Sequence, residues 1–238
     1  AVGTPWDGAK DGVRRSLQFF DARGDAVHKV YLTRKSDTEA YHALVERHRA
    51  EPGPLEVEPR PVPEAETPDT EVDADGLLAA WAALQDTHDF FGLLNDFGVS
   101  RTQALRLAEG RFAERVEGVS ARRVLEGAAE TQTEVMIFVG NRGGVQIHSG
   151  VVKKLKEYGP WFNVLDPGFN LHLDENQIVE SWVVVKPTED GEVTALETYD
   201  ASGEIVVQVF GKRKPGEPEL TAWREILGGL PRVSAVPA

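Results

Sequence analysis

Apolar positions fall at helical spacing through the middle of the chain and at strand-like spacing after it. The segments GLLAAWAAL at 76–84 and FFGLL at 90–94 each carry a helical stripe. Ser100 and Gln103 read as a capping box that opens a third helix through Leu107, and residues 120–130 form a fourth. From residue 135 onward the runs are short, β-branched and punctuated by turn residues. VMIFV at 135–139 and VQIH at 145–148 make a hairpin around NRGG at 141–144, and residues 178–185, 193–199 and 205–210 make a meander. Helices followed by strands predict an α+β fold, an antiparallel sheet with helices packed on it.

The strand pattern recurs once. LQFFDARGDAVHKVY at 17–31 lies over LETYDASGEIVVQVF at 196–210 with a constant offset of 179, and Leu17/Leu196, Asp21/Asp200, Ala22/Ala201, Gly24/Gly203, Val27/Val206 and Val30/Val209 are identical. Arg34 and Lys35 fall on Arg213 and Lys214, and a helix-like stretch follows each copy, around 41–45 and 223–227. Each copy therefore reads as strand, turn, strand, helix. The shared Asp-Ala-x-Gly core supplies the acceptor and the glycine that a tight hairpin needs. Only sixteen residues precede the first copy, so residues 1–50 are expected to be the remnant of a first repeat, with an exposed edge that packs on the second repeat or on another chain.

Composition refines the domain plan. Residues 51–75 hold six of the 14 prolines and nine acidic residues against one arginine, a net charge of −8 out of the total of −13, which predicts a solvated linker with little packed structure. Residues 76–227 then form the complete second repeat, and residues 228–238 are expected to be a disordered tail. The chain opens AVGTPWDG, without methionine or signal-like segment, which reads as a trimmed piece. No apolar run reaches the roughly 20 residues of a spanning helix, so membrane insertion is not expected. The acidic balance disfavours nonspecific nucleic-acid binding. With no cysteine, disulfides, thiolate metal sites and a cysteine nucleophile are excluded.

Few motifs announce chemistry. GNRGG at 140–144 lies between strands and lacks the following helix that would receive a phosphate, so it reads as a turn. No H-E-x-x-H or G-x-S-x-G spacing occurs. Among the six histidines, His28, His42 and His48 lie in the first-repeat remnant and His148 and His172 in strand-like alternation. His88 stands at a helix start, between Asp86 and the pair Phe90–Phe91, a position open to a ligand or to an ordinary surface or capping role. The loop KRK at 212–214 and the lysines of KKLK at 153–156 fit solvated charges. Lys186 ends an apolar strand, where its charge must reach solvent or a ligand.

The motifs QDTHDFF (85–91), VSRTQALR (99–106), FVGNRGGVQIHSG (138–150), PWFNVLDPGFNLHL (160–173), ESWVVVKPT (180–188) and VFGKRKPG (209–216) closely resemble the HemS/ChuS/HmuS family of cytoplasmic haem-utilisation proteins. The segment RRSLQFFDARGDAVHKVYL at 14–32 resembles the end of that family's N-terminal half. The resemblance implies one haem bound between two similar halves, and a role in haem uptake, transport and, in some members, oxidative ring opening that releases iron. It implies that His88 is the proximal iron ligand, that Arg101 lies close to the haem, and that Lys186 and Gln208 contact the haem and its propionates. Phe210 stands where some members have a tyrosine. The family's distal arginine belongs to the N-terminal half and has no counterpart here. A reductase, a haem acceptor and a homodimer through the first-repeat remnant are the implied partners. A non-catalytic carrier, or a self-associating fragment with weak haem binding, remain alternatives.

Overall fold

Two hairpins built on one turn chemistry organise the chain. In each, an aspartate side chain accepts from two backbone N–H groups: Asp21 Oδ1 from Arg23 and Asp25, each at 2.9 Å, and Asp200 Oδ1 from Ser202 at 2.8 Å and Glu204 at 3.1 Å. The glycine that closes each turn has positive φ, +81° at Gly24 and +77° at Gly203, a region that costs a residue with a Cβ. The computed structural model describes residues 2–3, 13–51, 53–54, 56–60, 65–214 and 216–233.

In chain order the elements are β1 (Val2–Gly3), β2 (Ser16–Phe20), β3 (Ala26–Tyr31), α1 (Thr38–Arg47), α2 (Ala74–Ala82), α3 (Asp89–Phe97), α4 (Arg101–Leu107), β4 (Ala113–Val116), α5 (Ser120–Thr131), β5 (Val135–Asn141) and β6 (Gly144–Gly150). They continue as β7 (Leu155–Tyr158), β8 (Trp161–Asp166), β9 (Phe169–Asp174), β10 (Glu180–Thr188), β11 (Gly191–Tyr199), β12 (Ile205–Gly211) and α6 (Thr221–Gly228). The expected α+β class with antiparallel sheets is what forms. A six-stranded sheet runs β4-β10-β11-β12-β5-β6, a four-stranded sheet runs β1-β9-β8-β7, and β2-β3 stand as a pair. Among the described residues no helix is long and apolar enough to cross a membrane.

The chain divides into two compact units, residues 1–3, 64–140 and 145–238 in one and 4–63 with 141–144 in the other. The smaller unit holds β2, β3 and α1. Asp37 caps α1 by accepting from Ala40 N–H at 2.9 Å, and Asn141 Nδ2 donates to the Val27 carbonyl at 2.8 Å. The two hairpins agree in register as well as in turn. Leu17 pairs with Val30 and Phe19 with His28, with a shift between Phe19 and Phe20; Leu196 pairs with Val209 and Thr198 with Val207, with the shift between Thr198 and Tyr199.

In the larger unit the six-stranded sheet sorts its side chains by alternation. One face presents Ile137, Val183, Leu196, Val207 and Val209 to α5, α6 and the four-stranded sheet. The other presents Trp182, Val184 and Tyr199 to α2, α3 and α4, where Leu77, Trp81, Phe90 and Leu105 fill the second core. Those helices cover the strands on the β10–β11 side. Farther along the same face Met136, Phe138, Gln208 and Phe210 stay half-buried.

Three expectations need correction. Ser100 caps α4, accepting from Gln103 N–H at 3.1 Å, but the capping box is not reciprocal: the Gln103 amide donates instead to the Thr67 carbonyl at 2.6 Å and to Asp69 at 2.7 Å. Those bonds, with Arg106 on Glu66 at 2.7 Å, also pin the end of the linker onto α4, because its acidic residues meet basic and amide donors there. The tail is ordered as far as Val233: Leu230 is buried, Glu117 N–H donates to the Pro231 carbonyl at 3.0 Å, and Arg232 pairs with Glu114 at 2.8 Å. Residues 234–238 lie outside the described residues, as do 52, 55 and 61–64 of the linker.

Candidate functional site

His88 sits at the N-terminal boundary of α3, and the loop before it fixes its ring. Its backbone N–H donates to Asp86 Oδ1 at 2.8 Å, and its imidazole Nδ1 lies 2.6 Å from the same oxygen. An ionised carboxylate only accepts, so Nδ1 carries a proton, and in the neutral ring the free lone pair is then the one on Nε2. The hydrogen bond from the His88 backbone, followed by that from its ring, holds the Asp86 carboxyl below the usual carboxylate range, and the Arg213 charge acts in the same direction. The His88 side chain is 92% exposed, so among the described residues the ring is open to solvent. Carboxylate-oriented imidazole is the arrangement in which histidine serves as a metal ligand.

The next turn of α3 joins His88 to the sheet. Phe90 is buried, edge-on to Trp81 with centroids 4.5 Å apart, and Phe91, 69% exposed, lies one helical turn from His88. Two cations lie over the Phe90 ring, Arg101 at 5.0 Å and Lys186 at 4.5 Å from its centroid. The loop itself is tied to the far end of β10, since Glu189 N–H donates to the Gln85 carbonyl at 3.0 Å.

Arg101, Lys186 and Gln208, three of the residues expected at the site, converge on one carboxylate, Glu197. Arg101 grips it with two nitrogens, Nη2 to Oε1 at 2.6 Å and Nε to Oε2 at 2.8 Å. Lys186 Nζ donates to Oε1 at 3.1 Å, Gln208 Nε2 to Oε1 at 3.0 Å and the Tyr199 hydroxyl to Oε2 at 2.5 Å. Strand register brings them there: Glu197 stands opposite Trp182 on β10 and Gln208 on β12, while small Ala195 faces Val184 between Glu197 and Lys186.

Burial alone would push the Glu197 carboxyl up, but the charges of Arg101 and Lys186 and the donors on it hold it well below the usual range. Burial lowers the Lys186 ammonium, with Glu197 opposing. Burial followed by the Glu197 charge raises Tyr199, which stays a neutral donor. Phe210 meets Phe138 edge-on at 5.3 Å, forming an aromatic shelf beside Gln208.

The expectation that the Lys186 charge must reach solvent or a ligand is corrected: its side chain is 5% exposed, and Glu197 already meets the charge within the fold. Glu197 and Tyr199 were not anticipated, although a carboxylate in the apolar strand ALETY on the face of Gln208 was a readable signal. Arg213, expected to be a solvated charge of the 212–214 loop, is instead 21% exposed; it bonds Thr188 Oγ1 at 3.4 Å and lies 4.0 Å from Asp190.

The family model described as a haemin-degrading HemS.ChuX domain matches residues 2–48 and 98–230. The chain belongs to the HemS/ChuX family. Arg101, Lys186, Glu197, Gln208 and Phe210 fall inside the matched blocks, and His88 falls between them. The chain is 43% identical over 225 residues to the hemin transport protein HmuS of Yersinia pestis, covering 93% of this chain and 64% of HmuS. It thus spans 64% of the length of that curated relative. Its fold matches holo-PhuS, a heme-binding protein from Pseudomonas aeruginosa, with a TM-score of 0.87 and 46% identity over 98% of this chain and 68% of PhuS. It also matches ChuS, a heme degrading enzyme from Escherichia coli O157:H7, with a TM-score of 0.83 and 38% identity over 97% of this chain and 67% of ChuS.

Proposed function

We propose that this chain binds haem, with His88 Nε2 as the axial iron ligand, and serves haem uptake and iron acquisition in the cytoplasm by trafficking it. The observation that carries this reading is the Asp86-oriented, solvent-open imidazole at the head of a helix whose next residue but one, Phe90, lies under two cations. The other residues suit the cargo. A half-buried shelf of Phe138 and Phe210 offers apolar surface to a porphyrin face, and Phe91 adds an aromatic ring one turn from the ligand. Arg101 and Lys186 offer positive charge to the propionates, which an acidic protein would otherwise repel. The names of HmuS and PhuS support transport and binding. The repeated hairpin supports a domain plan in which 76–227 is a complete HemS-type repeat and 1–50 part of another.

Oxidative degradation is the second reading, supported by the likeness to ChuS and by the description of the family. Haem itself would supply the iron and the reacting ring, and these side chains would hold and orient it. That reading calls for a reductase; trafficking calls for a haem acceptor, and the exposed first hairpin suits a second copy of the chain.

Haemin titration of the full chain, followed at the Soret band, tests the binding. Saturation at one haem per chain is expected, and no saturable shift would overturn it. Adding a reductant to the loaded protein then separates the readings: a biliverdin-like product with free iron marks degradation, and an unchanged porphyrin marks a carrier.

A further inference from the structure

We propose that Glu197 is a positioning residue for the carboxylate-bearing end of the ligand, holding Arg101, Lys186 and Gln208 in the arrangement that receives it. This deepens the haem reading and rests on it, because haem carries two propionates. Three observations converge. The carboxylate takes five donors from four elements, so it fixes α4, β10, β11 and β12 relative to one another. The cluster is also oriented: Glu197 is fully buried at its base, whereas the Arg101 side chain is 22% exposed. Arg101 spends Nε and one Nη2 proton on Glu197, so its remaining guanidinium protons are left for an incoming anion, while Lys186, 5% exposed, adds its charge from beneath. With both bases protonated the group carries one surplus positive charge.

The third observation comes from the other hairpin. Gln18 occupies the position of Glu197, and it pairs with Lys29 just as Glu197 pairs with Gln208. The same turn, register and bulge therefore form without a carboxylate, and the fold of the hairpin does not require one. A fully buried charge costs free energy unless its partners compensate. What Glu197 adds is control of its partners: it fixes the Arg101 fork and opposes the loss of charge that burial favours at Lys186.

The test is Glu197→Gln in the full chain, the residue that the first hairpin already carries. Two probes are titrated, haemin and haemin dimethyl ester, which lacks free carboxylates. Haemin affinity is expected to fall by about tenfold or more, the worth of one charge-assisted hydrogen bond. The ester should change by less than about threefold, and the Soret position, which reports axial ligation, should stay where the wild type has it. Equal losses for both probes, no change in either, or a gain for haemin would overturn the proposal. If Glu197→Gln does not fold, Tyr199→Phe removes one of the five donors and should move the haemin-to-ester ratio in the same direction by about two- to fivefold; an unchanged ratio overturns the proposal. No saturable haemin binding by the wild type would instead overturn the haem reading and this proposal with it, whereas wild-type binding with an unaltered ratio overturns only the role of Glu197.

Discussion

The hairpins β2–β3 and β11–β12 share a turn, a register and a bulge, yet they differ in nearly everything that surrounds them. In β11–β12 Leu196, Tyr199, Val207 and Val209 are buried, and Glu197 between them has no exposure. In β2–β3 Phe19 and Phe20 are half-exposed, and Val30 is 40% exposed. The helices that follow repeat the contrast. Trp223 of α6 is fully buried against Gly211, where an added Cβ would lie 2.6 Å from the indole. Their counterparts 179 residues earlier are Leu44, 39% exposed, and Leu32. Local chemistry, an aspartate acceptor and a left-handed glycine, is thus enough to form the hairpin. Tertiary burial decides what the hairpin can hold, and only the buried copy can make a carboxylate and two cations interact strongly.

The largest expected difference between the copies follows from that charge. Glu197→Ala leaves Arg101 and Lys186 without their shared partner and should destabilise the larger unit by about 3–5 kcal/mol. Gln18→Ala, at the same hairpin position, should stay within about 0.5 kcal/mol. Urea unfolding of the two variants measures both, and equal losses would break the comparison. Leu196→Ala should cost about 2–5 kcal/mol as a full cavity, against about 1 kcal/mol or less for half-buried Leu17→Ala.

A pH series sharpens the electrostatic part. The folded pKa of Glu197 lies below its unfolded value of 4.5, so its contribution is complete above that value and is lost as pH falls below it toward the folded pKa. Stability of the larger unit should therefore drop on the acid side of the unfolded value in the wild type, and less steeply in Glu197→Gln. Parallel acid limbs for the two proteins would contradict the assignment. The smallest contrast is the turn itself. Gly24→Ala and Gly203→Ala both force a Cβ into positive φ, where their nearest neighbours, Val57 and Thr102, lie at an ordinary 3.7 Å. Each should cost about 1–2 kcal/mol, and a marked inequality would show that context reaches even the turn.

Much of this architecture was legible in the residues. Turn chemistry, apolar alternation and the 179-residue offset disclosed both hairpins, the meander and the four central helices, because each rests on local preference. Of the sheet of β7, β8 and β9 only the strand-like alternation around His172 was read: β7 is the polar run LKEY, and its pairing is set by distant contacts. Edge strand β4 and the ordered tail escaped for the same reason, since residues 231–233 gain structure only by lying along Val116 and Arg115. At the site, Arg101, Lys186 and Gln208 came from family resemblance, and the structure brings them together. Glu197 was missed because a lone glutamate in an alternating strand reads as a solvated face until the helices that cover it are in place. Phe90, seen beforehand only as half of an aromatic pair, joins the His88 loop to the charged cluster.

His88 as the iron ligand is the role on which the haem reading rests, and cavity rescue tests it most directly. Haemin is titrated into the wild type and His88→Gly, and the variant is then supplied with free imidazole. The wild type should give a saturable Soret shift, His88→Gly an altered spectrum and weaker binding, and imidazole entering the vacated place should restore the wild-type spectrum. A variant that binds haemin with the wild-type spectrum and affinity would contradict that role.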